Sequence, residues 1–208
     1  MNTQILIVEG TSGVGKSTLI DALIRKYVSG NKKIRSLLHL TQAHTYGPLA
    51  EDEDRHSLTK EKNLVHLDSI YNLLNWSTIS IKTEHKVKFF ALLDTLHLTH
   101  CVRPGVLHWD DIKEYDAKLK SIDCKLIYLY AHPQTIWDRG IEPRQHEQFI
   151  TGYGKKFGNN LNEIHQYFIN EQILLEKLYS NSQLKKMDIH VEDDLDFNVE
   201  KCFNFWIN

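Results

Sequence analysis

Short apolar stretches alternate with amphipathic ones along the whole chain. Five stretches have the dense apolar and β-branched pattern of buried strands: Gln4–Glu9, Ile34–Leu40, Val87–Leu93, Cys124–Tyr130 and Met187–Val191. The stretches between them predict helices over residues 16–27, 58–80, 95–102, 110–120, 133–139, 159–179 and 195–206. Residues 42–57 are polar and predict an exposed loop. This alternation is typical of an α/β fold, in which a parallel sheet is covered by helices on both faces.

Length and composition narrow the class of protein. The 208 residues suit one domain, since domains commonly hold roughly 100–200 residues, and no interdomain linker stands out. The balance of 25 Lys+Arg against 27 Asp+Glu provides no general basic field for a nucleic acid. The three cysteines lack CxxC spacing, and no apolar run reaches the roughly 18 residues of a membrane span. We therefore expect a single-domain cytoplasmic protein without a nucleic-acid or membrane partner.

A glycine-rich loop after the first strand carries the most specific motif. GTSGVGKS, Gly10 to Ser17, matches GxxxxGK[ST] between a predicted strand and a predicted helix. Its glycines let successive backbone N–H groups point inward, where the helix N-terminus also favours an anion. We expect Lys16 to neutralise β- and γ-phosphate charge and Ser17 to ligate Mg²⁺. The residues predicted to contact the cofactor are Gly10, Thr11, Ser12, Gly13, Val14, Gly15, Lys16, Ser17 and Thr18.

Asp94 ends the third predicted strand, on the edge of the sheet where the P-loop lies. An acid at this position can hold Mg²⁺, directly or through water, or accept a proton from an attacking hydroxyl. Asp is also a favoured N-cap, and the next predicted helix begins at Thr95. The sequence leaves these compatible roles open.

Two arginines bracket the Gly/Pro segment that follows the fourth strand. Arg139 and Arg144 flank GIEP, a stretch without helical period. Phosphoryl transfer spreads negative charge over the equatorial oxygens, so cations on a closing segment would stabilise the transition state. The alternative is a pair of solvated surface arginines. We predict catalytic roles for both.

Candidate acceptor-binding residues follow from position and residue type. Aromatic rings can stack on a planar acceptor, although rings at helical spacing more often belong to a core. Histidine and arginine near Asp94 can contact a hydroxyl or phosphate. The predicted substrate residues are Tyr46, Tyr71, His97 and Arg103.

Several of these segments together resemble the nucleoside- and nucleotide-kinase branch of the P-loop proteins. The residues that carry the resemblance are VEGTSGVGKST around Glu9-Gly10, Asp94, and Arg139 with Arg144. Further similarity lies in the long helix ending LLEKLY and in MDIHVED followed by NVEKCFNFW. The pattern is similar to that of thymidylate kinases and deoxynucleoside kinases and extends over nearly the whole chain.

The resemblance implies an architecture and a cofactor. The implied fold is a three-layer P-loop sandwich with a five-stranded parallel sheet and an arginine-bearing lid at about residues 139–157. A substrate-side helical region would cover about residues 42–80. Mg-ATP would be the phosphoryl donor, with the turn at Glu192–Asp194 near the adenine.

Two departures leave the acceptor undecided. Asp94-Thr95 stands where thymidylate kinases usually carry Asp-Arg, and Thr41-Gln42-Ala43 lacks the acid that many deoxynucleoside kinases carry after strand two. We therefore weigh a kinase of a nucleoside or nucleoside monophosphate against a kinase of a non-nucleotide metabolite or antibiotic hydroxyl. A nucleotide-hydrolysing switch is a third class, although no Asn-Lys-x-Asp or LSGGQ motif is present. The sequence leaves open ATP against GTP, and a monomer against a homodimer.

Overall fold

A computed structural model describes residues 3–30, 37–45, 59–83, 89–102, 106–145, 147–152 and 154–208. It contains one parallel sheet with the strand order β2-β3-β1-β4-β5. The strands are β1 (Thr3–Glu9), β2 (Leu37–Leu40), β3 (Phe89–Asp94), β4 (Cys124–Tyr130) and β5 (Lys185–His190). No helix in these ranges is both long enough and apolar enough to cross a bilayer.

Helices occupy most of the connections between the strands. The first of these are α1 (Lys16–Gly30), α2 (Gln42–Thr45), α3 (Lys60–Thr83), α4 (His97–Val102) and α5 (Trp109–Ser121). Then follow α6 (Pro133–Ile136), a π-helix (Trp137–Ile141), a 3-10 turn (Glu142–Arg144), α7 (Glu147–Thr151) and a second 3-10 turn (Gly154–Lys156). The last two are α8 (Leu161–Asn181) and α9 (Leu195–Ile207).

The period of two along β1 divides the core into two layers. Ile5 and Ile7 pack with residues of α3, α4 and α5 on one face of the sheet. Leu6 and Val8 pack with residues of α1 and α9 on the other face. Helix α8 contributes to both layers, since Phe168 joins the second layer and later residues of the helix join the first. The expected three-layer α/β fold is confirmed.

The element boundaries differ from the predicted ones where the apolar pattern is weak. The predicted exposed loop over residues 42–57 was wrong at its start, because Gln42–Thr45 forms a helical turn with Thr45 fully buried. The rest of that loop lies outside the described residues, as do residues 34–36 of the second predicted strand. Strand β5 begins at Lys185, two residues before the predicted Met187.

Candidate functional site

The predicted P-loop joins β1 to α1 and needs glycine at its centre. Gly13 and Gly15 have φ of 82° and 95°, in the left-handed region that side chains disfavour. A Cβ on Gly13 would also lie 2.6 Å from Cα of Gly140. The loop therefore packs against a second segment of backbone that approaches from the region after β4.

Lys16 holds its ammonium group inside this loop. Its Nζ donates to the carbonyl oxygen of Gly10 at 2.8 Å and to that of Thr11 at 3.0 Å. The side chain is buried, so the charge is fixed at the start of α1, where the helix N-terminus also favours an anion. The loop thus holds a fixed cation beside the start of α1.

A cavity of about 940 Å³ opens at the carboxyl edge of the sheet. Its lining includes the loop from Ser12 to Thr18, Asp94 at the end of β3, and both predicted arginines, Arg139 and Arg144. Concave sites for small molecules span about 300–1,000 Å³, so this cavity has room for a large ligand such as a nucleotide. The structure therefore brings together all four residues predicted as catalytic.

Asp94 is fixed by the backbone on both of its sides. The Thr95 N–H donates to the carbonyl oxygen of Val8 at 2.9 Å, and Thr45 Oγ1 donates to the carbonyl oxygen of Asp94 at 2.7 Å. Thr95 itself takes a left-handed conformation with φ of 63°, which turns the chain sharply after β3. These contacts fix Asp94 in the lining of the cavity, where the residue is 8% exposed.

The helix after Asp94 is capped by another acid. Glu9 is fully buried, and its carboxylate accepts the N–H groups of Leu96 at 2.9 Å and Leu98 at 3.2 Å. It also accepts the Thr99 hydroxyl at 2.6 Å. Glu9 therefore accepts N–H groups at the start of the helix that the sequence allowed Asp94 to cap.

Arg139 and Arg144 reach the cavity from the irregular segment after β4. Arg139 lies in the π-helix, and its Nη1 is 4.0 Å from the position that a Cβ on Gly15 would take. Arg144 ends the following 3-10 turn, and its Cζ lies 5.8 Å from the ring centroid of Phe149. One guanidinium therefore stands directly beside the phosphate loop.

The two predicted acceptor residues that the structure describes, His97 and Tyr71, are not among the residues that line the cavity. His97 is fully buried, and its Nε2 lies 3.0 Å from Oδ1 of Asp116, away from the cavity lining. Tyr71 packs edge-on against Tyr115, with Lys118 over its ring at 5.7 Å, and belongs to the contact between α3 and α5. These two expectations are corrected, because both side chains serve internal packing. Tyr46 and Arg103 lie outside the described residues.

The predicted magnesium ligands lie in one place. The Ser17 hydroxyl and the Asp94 carboxyl both line the cavity, beside the loop that would hold phosphate. Mg²⁺ prefers oxygen ligands and is usually bound by one or two protein groups together with substrate phosphates and water. This pair of oxygen donors fits that pattern.

Glu192 also lines the cavity, in the turn that the resemblance placed near the nucleobase. Its Oε1 accepts the His132 N–H at 2.9 Å, and its Oε2 lies 2.8 Å from Nε2 of His190. Burial raises the pKa of the Glu192 carboxyl, but hydrogen bonds from Thr135 and His132 outweigh burial and leave that pKa below its ordinary value. Glu192 therefore ties the turn after β5 to the end of β4.

Sequence reasoning missed a second acid at the loop. Glu171 lies in α8 and is buried, and its Oε2 accepts the Thr11 hydroxyl and lies 3.4 Å from the Ser12 N–H. The two partners are 160 residues apart in the chain, so no local pattern links them. The available signal was an acid on the apolar face of a predicted amphipathic helix, at i+3 from Phe168 and i+4 to Leu175.

Comparison with known proteins gives structural relatives. No family model and no curated protein sequence matches the chain. The YorR protein of Bacillus subtilis, solved with phosphorylated GDP, is similar with a TM-score of 0.58 and 17% identity over 97% of this chain and 94% of that one. Two structures of deoxyadenosine kinase from M. mycoides follow at 15% identity. The one with dCMP and dCDP covers 96% of each chain, with a TM-score of 0.48. The one with dATP covers 97% of this chain and 98% of that one, with a TM-score of 0.49. At these identities the similarity to YorR shows a shared fold.

Proposed function

We propose that this protein binds a magnesium nucleoside triphosphate at the P-loop and transfers its γ-phosphoryl group to a nucleoside, a nucleoside monophosphate or a similar small molecule. The observation that carries the proposal is the single cavity that the P-loop, Asp94, Arg139 and Arg144 line together. Phosphoryl transfer needs groups that stabilise negative charge, here the P-loop and the two arginines, and a carboxyl, here Asp94.

The P-loop and the arginines stabilise the negative charge of the donor. The loop N–H groups and Lys16 bind the β- and γ-phosphates, with the helix α1 N-terminus behind them. Arg139 and Arg144 approach from the other side and stabilise the charge that spreads over the transferred group. Both guanidinium groups come from one short segment, so a small movement of this segment would assemble or open the site.

Asp94 is our candidate for the residue that prepares the acceptor. Asp94 lines the cavity, where its carboxyl would accept the proton of an acceptor hydroxyl or hold a water bound to the metal. Mg²⁺, held by Ser17 and Asp94, would neutralise phosphate charge. The cofactors of the proposal are thus ATP or a similar triphosphate and Mg²⁺.

A second acceptor class has one specific observation in its favour. Gln42 lines the cavity just after β2. Its neutral amide cannot accept a proton, whereas a carboxylate at this position could. A kinase of a non-nucleotide hydroxyl compound therefore stays the alternative to a nucleoside or nucleotide kinase.

A panel assay tests the proposal and separates its alternatives. ADP or GDP release is measured with Mg-ATP and with Mg-GTP, because YorR was solved with phosphorylated GDP. The acceptors are nucleosides, nucleoside monophosphates and hydroxyl-bearing metabolites and antibiotics. Acceptor-dependent release supports a kinase, and the acceptor identifies its class. Strong release that no acceptor changes would instead favour a nucleotide-hydrolysing switch.

Lys16→Ala gives the assay its control for the phosphate loop. Loss of this cation should lower turnover by about 10²-fold or more, the typical effect of removing one charge stabiliser. Lys113→Ala is the matched control, because the Lys113 side chain is exposed and pairs only with Asp110 among the described ion pairs. Near-normal turnover of Lys16→Ala would remove the P-loop from the mechanism.

A further inference from the structure

Gly140 makes a backbone contact with the P-loop that admits almost no side chain. A Cβ on Gly140 would lie 3.3 Å from Cα of Gly13 and 3.5 Å from the carbonyl oxygen of Ser12. Gly140 belongs to a π-helix, so its own backbone does not require glycine. The close approach to the loop is therefore what calls for glycine at this position.

Glu171 holds the same part of the P-loop from another side. Its buried carboxylate accepts the Thr11 hydroxyl and faces the Ser12 N–H. Hydrogen bonds to an ionised group are stronger than those between neutral groups, and burial of both partners protects this one from water. Residues 11–13 are thus contacted from the region between β4 and β5 by hydrogen bonding from Glu171 and by packing from Gly140, in addition to the bond from Lys16 to the Thr11 carbonyl oxygen.

The packing contact lies next to an arginine of the site. Arg139 immediately precedes Gly140 in the π-helix, and its Nη1 is close to Gly15 of the loop. The distance between the backbones of Gly13 and Gly140 therefore sets how near this guanidinium stands to the phosphates. A side chain at position 140 would push the whole turn outward, and Arg139 would move with it.

We propose that Gly140 and Glu171 are positioning residues of this site, which fasten residues 11–13 of the P-loop to the segment that carries Arg139. This pair is called the clasp below. The inference rests on the proposed function, because it assigns the clasp to the binding of a nucleotide polyphosphate. Neither Gly140 nor Glu171 is among the residues that line the cavity.

Substitutions of graded size test the packing half of the clasp. Gly140→Ala requires the loop to give way by a few tenths of an ångström, and Gly140→Val requires more. The same two substitutions at Gly30 are the matched controls, since a Cβ there meets no atom within 4 Å. Dissociation constants for Mg-ATP and Mg-GTP are measured by calorimetry, and thermal unfolding without ligand reports folding. If Gly140→Val fails to fold, Gly140→Ala decides the test.

We expect nucleotide binding to weaken with the size of the new side chain. A loss of about 3-fold for Ala and of about 30-fold for Val would correspond to a partial and a nearly complete loss of one charged contact. In an Arg139→Ala background the loss caused by Gly140→Val should shrink to below about 3-fold, because coupled residues are not additive. A merely structural role of Gly140 would give the same loss in both backgrounds.

Glu171→Gln tests the hydrogen-bonded half of the clasp. The variant removes a negative charge near the phosphates, so binding of the nucleotide should stay as tight or become tighter. Looser fixation of the loop should nevertheless lower kcat by about 10-fold, measured with the best acceptor or with water as the acceptor. Glu176→Gln, exposed on the same helix, is the matched control. A kcat equal to that of Glu176→Gln would contradict the proposal.

The outcomes separate the inference from the function on which it rests. If the wild-type protein binds neither nucleotide, the proposed function fails and the clasp loses its role with it. If the wild-type protein binds nucleotide and the Gly140 variants bind as the Gly30 variants do, the clasp alone is wrong. The clasp is also wrong if Gly140→Val weakens nucleotide binding equally in the wild-type and the Arg139→Ala backgrounds.

Discussion

Asp94 shows how a single carboxyl is placed by the backbone around it. Its β3 strand lies beside β1, and the turn after it is fixed by the Thr95 N–H and the Thr45 hydroxyl. The start of the next helix is held by Glu9, whose carboxylate accepts the N–H groups of Leu96 and Leu98. Substitutions of Asp94 and of the two arginines are therefore the most direct tests of the proposed mechanism.

Asp94→Asn keeps the shape of the side chain and removes its ability to take a proton. We expect kcat to fall by about 10²-fold or more if the carboxyl acts as base or holds the metal, since general-base catalysis contributes about 10²–10⁴-fold. Steady-state kinetics with the acceptor found in the panel assay measures this. Asp110→Asn, at an exposed position of α5, should behave as the wild-type protein does. An unchanged rate in Asp94→Asn would reduce Asp94 to a structural role.

Arg144→Ala tests whether the second arginine acts in the transition state. Its guanidinium packs near the ring of Phe149 at the cavity rim, so the ground state holds it by a weak contact. We expect kcat to fall by more than KM rises, the pattern of an interaction made mainly in the transition state. Arg25→Ala, exposed on α1, is the control. A raised KM with unchanged kcat would make Arg144 a substrate-binding residue instead.

Glu9 connects two elements at the scale of secondary structure. It is the last residue of β1, and it holds the start of α4 through two backbone N–H groups and the Thr99 hydroxyl. The P-loop follows Glu9 directly, so this carboxylate joins the phosphate loop to the helix after Asp94. The resemblance to kinases pointed to Glu9 by position, and the structure supplies its contacts.

Glu9→Gln should destabilise the protein while keeping the side chain's size. The amide of glutamine replaces one acceptor oxygen with a donor, so at least one buried N–H or hydroxyl loses its partner. A buried donor without a partner costs about 1–3 kcal/mol. Chemical denaturation should show this loss relative to Glu114→Gln, an exposed position on α5. Wild-type stability would contradict the buried hydrogen bonds described for Glu9.

The elements that the sequence predicted best are those with a clear period. Strand β4 was predicted with its observed bounds, because a continuous apolar run marks a strand buried on both faces. Strand β5 was predicted two residues late. It is one of the two edge strands of the sheet, and its first residue, Lys185, is exposed. The segment from Trp137 to Lys156 has no period, because its described residues form short π-, 3-10 and α-helical turns.

The same distinction holds for the site. The P-loop was predicted because its residues are consecutive and their order is set by the phosphate they would bind. His97 was assigned to the acceptor by its nearness to Asp94 in the chain, yet its partner is Asp116 in another helix. Glu171 could not be found from the sequence, because its contact with Thr11 exists only after the sheet brings α8 to the loop.

Stability of the whole molecule should depend on pH through a buried histidine. His100 Nε2 donates to the carbonyl oxygen of Thr45 at 2.9 Å, and its Nδ1 lies 3.1 Å from Oδ1 of Asn63. Burial lowers the pKa of the imidazole to about 3, His66 and His97 add to this effect, and the bond to Thr45 opposes it. An unfolded histidine titrates near 6.5. The unfolded state therefore binds a proton below about pH 6.5 that the folded state refuses, and stability falls as pH falls from there towards 3.

Denaturation at several pH values measures this dependence. Between pH 6.5 and 4.5 His100 should lower the free energy of unfolding by about 2 kcal/mol. His100→Gln should show a flatter dependence than the wild-type protein, whatever its stability at neutral pH. Protonation of Asp116 changes the free energy of unfolding at more acidic pH than protonation of His100 does. Burial raises the pKa of its carboxyl, but its hydrogen bonds to His97, Ser182 and Gln183 leave that pKa below its ordinary value. If the free energy of unfolding depends on pH in the same way in the wild-type protein and in His100→Gln, His100 is not the source of the dependence.

The strand order has a consequence for how the fold tolerates change. The chain leaves β1 through α1 on one face of the sheet and leaves β3 through α4 and α5 on the other, so the connections beside β1 diverge. A hollow at that edge arises from topology, before any side chain is chosen. Sequences can therefore drift far apart and still inherit a place for a ligand, while the loops around the rim decide which molecule enters.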